Sequence, residues 1–334
     1  MLFISGEKEQ FPGLFKKLEQ HKVPYATIAG IDEHAHFFRL VREFRNFAKQ
    51  FLPEIVTVQT NWQLAIATVA RFLFRLDYSL VYVINGYRHN YHFRSIIARR
   101  LIGAALYIFS DHVIAPSGFL EKQFSFLKEK NKVIFIGEDA AFFDDYPLPS
   151  FSETCRFIFP GEFRTGKNQA LLVRVLKQYM EKSGTSNVEL YLPGKGILLD
   201  SCKALVRELG LEGKVFFPGF VNRVEMLKLY LRCQFAIVPS NVETFGHCIV
   251  EPFILGRVIL TRHIGVADDI IRHGHTGFFF DNEEDLLKLL FEILPDKGLC
   301  ARVAANARES REPFRWERVC QKHFELIYDL PISR

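Results

Sequence analysis

A chain of 334 residues, 49% hydrophobic and 24% charged with a formal net charge of +5, has apolar material for two buried cores. That composition excludes a disordered chain, a collagen, a coiled coil and a small disulfide scaffold. The N-terminus has no basic run followed by a long apolar stretch, so no signal peptide is expected. The longest apolar region, Leu64 to Ile84, is broken by Arg71, Arg75 and Asp77, which excludes a membrane helix.

In chain order, short β-rich runs alternate with longer amphipathic ones. Met1–Ser5 reads as a strand, Phe11–His21 as a helix and Tyr25–Ala29 as a strand. A helix over Phe37–Leu52 stops at Pro53, followed by strand Ile55–Thr60 and a helical run from Trp62. Strand Leu80–Asn85 is closed by Gly86. Phe93–Phe109 reads as helix, then Asp111–Ala115 and Lys132–Ile136 as strands. Glu138 to Ser152, with Asp144, Asp145, Pro147 and Pro149, has the composition of a linker. Strands are then expected at Arg156–Phe159, Val188–Leu192, Val215–Phe217, Phe235–Val238, Val258–Thr261 and Gly277–Phe280. Helices are expected at Asn168–Lys182, Leu198–Leu209, Arg223–Leu231, after Gly246, at Ala267–Arg272 and from Glu283 onward. Apolar strands interleaved with amphipathic helices imply parallel sheets buried on both faces. The reading is α/β, two doubly wound Rossmann-like domains facing a cleft, with ligands beyond the carboxyl ends of the strands. The expected domains are 1–150 and 151–313, with a C-terminal helix, 314–330, packing back on the first.

Charge and cysteines narrow the partners and the compartment. From His34 to Ser110 ten bases (Arg39, Arg42, Arg45, Lys49, Arg71, Arg75, Arg88, Arg94, Arg99, Arg100) face three acids (Glu43, Glu54, Asp77) in a Phe-rich stretch. This reads either as a surface for an anionic partner or as a solvated helix face. Cys155, Cys202, Cys233, Cys248, Cys300 and Cys320 form no C-x-x-C pair, which argues against a zinc or redox motif and suits a reducing cytosol.

Two segments carry chemistry. Gly161-Glu162-Phe163-Arg164-Thr165-Gly166-Lys167-Asn168 follows a strand and opens a helix, nearly as a P-loop does. Asn168 lacks the hydroxyl that would bind magnesium, so NTPase chemistry is not expected. Arg164 and Lys167 beside a helix N-terminus still favour a phosphate group. In the second segment, strand Phe235–Val238 runs into Pro239-Ser240-Asn241-Val242-Glu243-Thr244-Phe245-Gly246-His247-Cys248-Ile249-Val250-Glu251. Two glutamates bracket a Phe-Gly turn where the backbone can approach a ligand and free N–H groups can hold oxygens. By spacing alone the two acids read equally well as a solvated pair near a helix start.

The ordered set GEFRTGKNQALL, LYLPGKG, VFFPGFV, PSNVETFGHCIVE, GRVILTRHIGVADDII and HGHTGFFF, over about Arg156 to Phe280, resembles the retaining glycosyltransferases of family 4, which have the GT-B fold. In the N-terminal half, PEIVTVQ from Pro53 and DHVIAPS from Asp111 resemble the family's corresponding strands, and Trp316–Tyr328 its last helix. The resemblance implies that Glu251 holds the ribose hydroxyls and Glu243 contacts the donor sugar. It implies that Phe245, Gly246 and His247 offer backbone N–H groups and that Lys167 binds the diphosphate, assisted by Arg164. Gly219, Phe220 and Val221 would line the base, and Ser240, Thr244 and Cys248 complete the donor-binding set. The sequence departs from the family at Glu162, where an Arg is usual, and at Gly6–Gln10, where a Gly-Gly loop is usual. Asn85-Gly86 replaces a His-Gly pair, leaving His89 or His92 to face the reacting sugar, with His89 the expected catalytic residue.

The implied activity is transfer of a sugar from a UDP- or GDP-sugar to an acceptor hydroxyl with retention of configuration, without metal or cofactor. The expected acceptor is a lipid-linked or other saccharide of bacterial surface polysaccharide synthesis (O-antigen, capsule or lipopolysaccharide). The expected place is the cytoplasm, peripheral on the inner face of the cytoplasmic membrane through an anionic surface. No nucleic-acid-binding signature occurs. The alternatives are a non-catalytic nucleotide-sugar-binding subunit and a GT-B epimerase.

Overall fold

A computed structural model describes residues 36–84, 104–105, 108–123, 130–151 and 154–328, together with the strands Phe3–Ser5 and Tyr25–Thr27. The expected helix at 11–21, most of that at 93–109, the Gly6–Gln10 loop, Asn85-Gly86, His89 and His92 lie outside these residues.

Every strand pairing among the named strands is parallel. Strands β1 (Phe3–Ser5) and β2 (Tyr25–Thr27) form a pair. Strands β3 (Ile55–Val58), β4 (Ser79–Val83), β5 (His112–Ala115) and β6 (Asn131–Val133) form a four-stranded sheet in that order. The third sheet runs β12-β11-β10-β7-β8-β9, with β7 Cys155–Ile158, β8 Val188–Tyr191, β9 Val215–Phe216, β10 Phe235–Val238, β11 Val258–Thr261 and β12 Phe278–Phe279. All four residues of both β10 and β11 are buried, as a parallel sheet covered on both faces requires. The strand order steps outward in both directions from the β10–β7 boundary. At such a reversal the loops on either side diverge and leave room for a ligand.

The chain divides into two compact units. One comprises 1–116, 121–134 and 323–334; the other comprises 117–120 and 135–322. In the first, helices Phe37–Phe51 and Asn61–Phe74 bury Leu40, Val41, Phe44, Leu64, Ile66 and Ala67. Thr60 caps the second helix by accepting from Gln63 N–H at 3.1 Å. Asp111 ties that helix to the sheet, accepting from Arg71 Nη1 at 2.6 Å and from Leu80 N–H at 2.7 Å.

In the second unit the core is built on Phe157, Phe159, Phe235, Phe253 and Phe314, each at most 1% exposed. The segment read as a linker belongs to this core. Phe142 and Phe143 are buried, Glu138 is 1% exposed, and Arg308 Nη1 donates to the Tyr146 carbonyl. Arg257, also 1% exposed, spreads its guanidinium over the carbonyls of Leu255, Leu231, Cys233 and Pro147, so Pro147 is fastened to the sheet. Prolines and acids gave the stretch a linker's composition, while its two adjacent phenylalanines decide its placement. The division of the chain therefore falls at Ile134/Phe135 instead of residue 150. The C-terminal helix Trp316–Tyr328 starts in the second unit, and its residues from His323 count with the first.

Several expected strands overshoot the observed ones by a residue. Phe159 and Leu192 lie one step past β7 and β8, yet both are fully buried. Apolar character continues into the loops because those loops pack on one another instead of on solvent.

Candidate active site

The carboxyl ends of β7, β8, β9, β10 and β11 carry a continuous rim. The loops after β7, β8 and β9 are laced by main-chain bonds. Gly161 N–H donates to the Pro193 carbonyl (3.0 Å), Phe163 N–H to Lys195 (2.9 Å) and Gly194 N–H to Gly219 (2.7 Å). Asn241 N–H donates to the Gly166 carbonyl at 2.8 Å, tying the loop after β10 to the loop after β7. Asn168, itself left-handed at φ 58°, reinforces this by donating to the Pro239 carbonyl at 2.9 Å and to Asn241 Oδ1 at 2.7 Å. Val266 N–H closes the rim on the far side by donating to the Phe245 carbonyl at 2.8 Å.

Lys167 and Glu243 meet at the centre of this rim. Lys167 Nζ lies 2.5 Å from Glu243 Oε1, and the two side chains are only 11% and 13% exposed. Cys248 Sγ lies 3.8 Å from the same Glu243 oxygen, its thiol pKa pushed well up by burial and then by the Glu243 charge. Gly246, at φ 98°, opens the helix His247–Ile254. The Ile249 and Val250 amides both turn back to the Gly246 carbonyl (2.8 and 3.1 Å), which leaves the His247 and Cys248 amides ahead of the helix ladder. A fixed ammonium, a carboxylate and a helix N-terminus are thus adjacent, a combination that holds an anion beside a polyhydroxyl group.

Glu251, four residues beyond His247 on the same helix, sits in a second cluster. Its carboxyl is raised from the ordinary 4.5 to about 7, chiefly by burial and then by the neighbouring Glu138 charge; Tyr230, His247 and Arg223 work in the other direction. Glu138 Oε1 lies 2.5 Å from His247 Nδ1, and Glu138 Oε2 accepts from Arg223 Nη2 at 2.8 Å. Burial opposes charge on His247, but the Glu138 hydrogen bond and charge outweigh it and raise its pKa. Glu138, His247 and Glu251 each offer an atom within 4.8 Å of the others, the one set among the described residues with the donors to hold a metal ion.

The structure therefore brings together Lys167, Glu243, Gly246, His247 and Cys248, and places Glu251 along the same helix. The Arg164 guanidinium pairs with Glu162 at 3.1 Å. Ser240 is fully buried, and its Oγ has no hydrogen-bond partner among the described residues. Phe245 is buried against His247 and Phe314, leaving only its backbone at the rim, and the Thr244 carbonyl accepts from Ser117 Oγ at 2.7 Å. Gly219, Phe220 and Val221 form the neighbouring rim loop. Phe220 is 77% exposed, with Lys195 Nζ 5.2 Å from its ring centre. Glu138, Arg223 and Tyr230 escaped sequence reasoning. Glu138 stands in the stretch taken for a linker, and no spacing in a single sequence connects it to position 247, 109 residues away.

The carboxyl edge of the six-stranded sheet thus carries a rim of strand-end loops with a buried Lys–Glu pair, a glycine-opened helix and a second carboxyl on that helix. Residues 146–310 match the model of the family Glycosyl transferases group 1. Over that segment the sequence has the pattern of a group 1 glycosyltransferase domain.

A relative named N-acetylgalactosamine-N,N'-diacetylbacillosaminyl-diphospho-undecaprenol 4-alpha-N-acetylgalactosaminyltransferase, from Campylobacter jejuni, is 28% identical over 230 residues, covering 66% of this chain and 61% of its own length. An uncharacterised glycosyltransferase of Methanocaldococcus jannaschii is 26% identical over 168 residues, 49% of this chain and 42% of its own. The matches thus span about half of these curated relatives. Among solved structures, HepE of Anabaena in complex with UDP superposes with a TM-score of 0.79 at 22% identity, over 98% of this chain and 99% of that one. The lipopolysaccharide outer core galactosyltransferase WaaB gives a TM-score of 0.74 at 17% identity, over 93% and 86%. These likenesses establish the GT-B fold along nearly the whole chain.

Proposed function

We propose that the chain transfers a sugar from a nucleoside-diphosphate sugar, UDP- or GDP-linked, to an acceptor hydroxyl with retention at the anomeric carbon. The observation that carries this reading is the Lys167–Glu243 pair set against the helix opening at Gly246. In it, Lys167 and the His247 and Cys248 amides take the diphosphate, Glu243 the sugar, Glu251 the ribose, and Phe220 offers its exposed ring to the base. A cation and helix amides neutralise a leaving diphosphate without a metal, and the departing phosphate oxygen takes the acceptor proton. HepE structures hold UDP and UDP-glucose, which supports UDP as the first nucleotide to try. A thermal-shift panel of nucleotide sugars in EDTA tests both points. A UDP- or GDP-sugar should raise the melting temperature with chelator present. No shift with any donor, or a shift only after Mg²⁺ or Mn²⁺ is restored, contradicts the reading.

Glu251 gives a pH test. Its carboxylate is the form that accepts ribose hydroxyls, so donor affinity should rise as pH passes upward through about 7. Stability runs the other way. Between the ordinary carboxyl range and about 7 the unfolded chain is ionised while the folded one keeps its proton, so stability falls with rising pH across that window. Glu251→Gln should therefore melt higher than the parent at pH 8, while its donor KM rises at least about tenfold. Unchanged donor KM removes Glu251 from the site.

We assign the acceptor to the first unit and propose a lipid-linked saccharide, within bacterial surface polysaccharide assembly; the Campylobacter relative's name gives a diphospho-undecaprenol-linked acceptor for that protein. No helix among the described residues is long and apolar enough to cross a membrane. Support for peripheral placement comes from Phe38, Leu52, Phe72 and Leu73, exposed among Arg39, Arg42, Lys49 and Arg75. In liposome flotation the protein should rise with anionic vesicles and stay down with neutral ones; equal behaviour with both removes the membrane from the account.

A further inference from the structure

We infer that Glu138 is a positioning residue for the nucleotide-holding helix: its buried carboxylate orients the His247 imidazole at the helix start and sets the charge beside Glu251. The inference rests on the donor reading above for what that helix binds.

The geometry begins with the backbone. Glu138 N–H donates to the Phe314 carbonyl at 2.9 Å, and Glu138 bridges to Arg315. A Cβ on Gly137 would come within 2.7 Å of the Trp316 ring, so the approach to Glu138 is fitted closely against that indole. From this anchored position the side chain, 1% exposed, reaches two other elements. Arg223, the first residue of helix Arg223–Arg232, donates to one oxygen, and His247 Nδ1 meets the other at 2.5 Å. A carboxylate only accepts, so Nδ1 carries the proton and Nε2 is left for an outside group.

His247 and Glu251 are four apart and share a helix face, and Glu138 lies opposite both. Around them stand Arg223, Asp139 (3.5 Å from Arg223 Nε), the Cys248 thiol and the fully buried Tyr230 hydroxyl, which faces Glu251. Three carboxyls, Glu138, Glu251 and the more exposed Asp139, here confront a guanidinium and a protonatable imidazole. The charges balance when Glu251 keeps its proton and His247 carries its own, which favours a proton-sharing support over a metal site. Glu138 makes no hydrogen bond to the Lys167–Glu243 centre, and of the donor-holding helix it meets only the His247 side chain and the face carrying Glu251. It acts through His247 and Glu251.

The test combines side-chain NMR titration of His247 in the ligand-free protein with UDP titration calorimetry and donor kinetics, on the parent, Glu138→Gln and Arg223→Gln. Glu138→Gln should lower the His247 midpoint by about half a pH unit or more. Arg223→Gln should raise it, because a neighbouring cation is removed while the Glu138 contact remains. Arg223 is half-exposed, so this variant stays informative if Glu138→Gln folds poorly. With UDP, Glu138→Gln should bind about fivefold or more weakly at pH 8, with donor KM raised and kcat within about twofold. Its acid loss of UDP binding should move to lower pH, because Glu251 has lost the carboxylate that holds its proton on. His247 midpoints that do not move in these opposite directions, or unchanged UDP affinity and donor KM in Glu138→Gln, overturn the inference. Failure of the parent to bind either UDP or GDP fells the donor reading separately, and the ligand-free titration still decides whether Glu138 governs His247.

Discussion

Lys167→Ala should lower kcat by about a hundredfold to a thousandfold while changing donor KM far less, the loss seen when one fixed donor to a developing oxyanion is removed. Lys167 is 9% exposed and cannot be replaced there by bulk water at full dielectric, so its charge acts strongly on whatever anion occupies the rim. The substitution also strands Glu243, whose side chain is 13% exposed and whose cation at 2.5 Å would be gone. Breaking one half of a mostly buried pair costs on the order of 3 kcal/mol, so the single variant should also melt lower. The double variant Lys167→Met/Glu243→Gln separates the two effects. It should regain most of the lost stability and none of the lost turnover. Arg164→Ala should cost much less, because that guanidinium is already engaged by Glu162. Parental kcat in Lys167→Ala would strip the residue of its assigned role.

Gly194→Ala should be the most damaging single methyl in the second unit. The residue has φ 147°, and an added Cβ would stand 2.0 Å from the Gly161 carbonyl oxygen. Neither side can give way easily, since Gly161 is itself held by its bond to Pro193 and Gly194 by its bond to Gly219. Backbone strain and overlap together amount to about 3 kcal/mol or more. For a unit of this size that is a drop of roughly 6–12 °C in the transition that melts it. Gly210 is the control. Its φ is 64°, but nothing lies within 4 Å of the Cβ position, so Gly210→Ala should lose only the backbone term, about 1 kcal/mol. Because Gly194 spaces the β7 and β8 loops, surviving Gly194→Ala protein should also show a raised donor KM. Equal melting of the two variants would mean that the rim is looser than described.

Periodicity and motif order made most of the second unit legible. The short apolar runs FAIV and VIL, the latter ending at Thr261, read as strands covered on both faces, and both lie where expected. The glutamate-bracketed Phe-Gly turn placed Glu243, Gly246 and Glu251 because their neighbourhood is local: a strand end, a glycine and two turns of helix. What remained illegible is non-local. Glu138 reads as a linker acid until Phe142 and Phe143 are seen anchoring its stretch, and its partners stand 85 and 109 residues further on. Ser240 shows the opposite limit. Its position in the motif places it in the donor-binding set, but a motif does not record that the residue is fully buried. Arg164 reads together with Lys167 because both stand at a strand end beside a helix N-terminus, but its guanidinium pairs with Glu162. Side-chain pairing, unlike strand placement, depends on competitors that a motif does not record.

The central claim is that the carboxyl edge of the six-stranded sheet holds a nucleoside diphosphate. It is tested most directly by a crystal structure of the protein with UDP at saturating concentration. The account predicts phosphate density against the His247 and Cys248 amides and Lys167, with the ribose hydroxyls on Glu251. Density elsewhere on the chain, or a rim without nucleotide in a crystal that has taken UDP up, would contradict it.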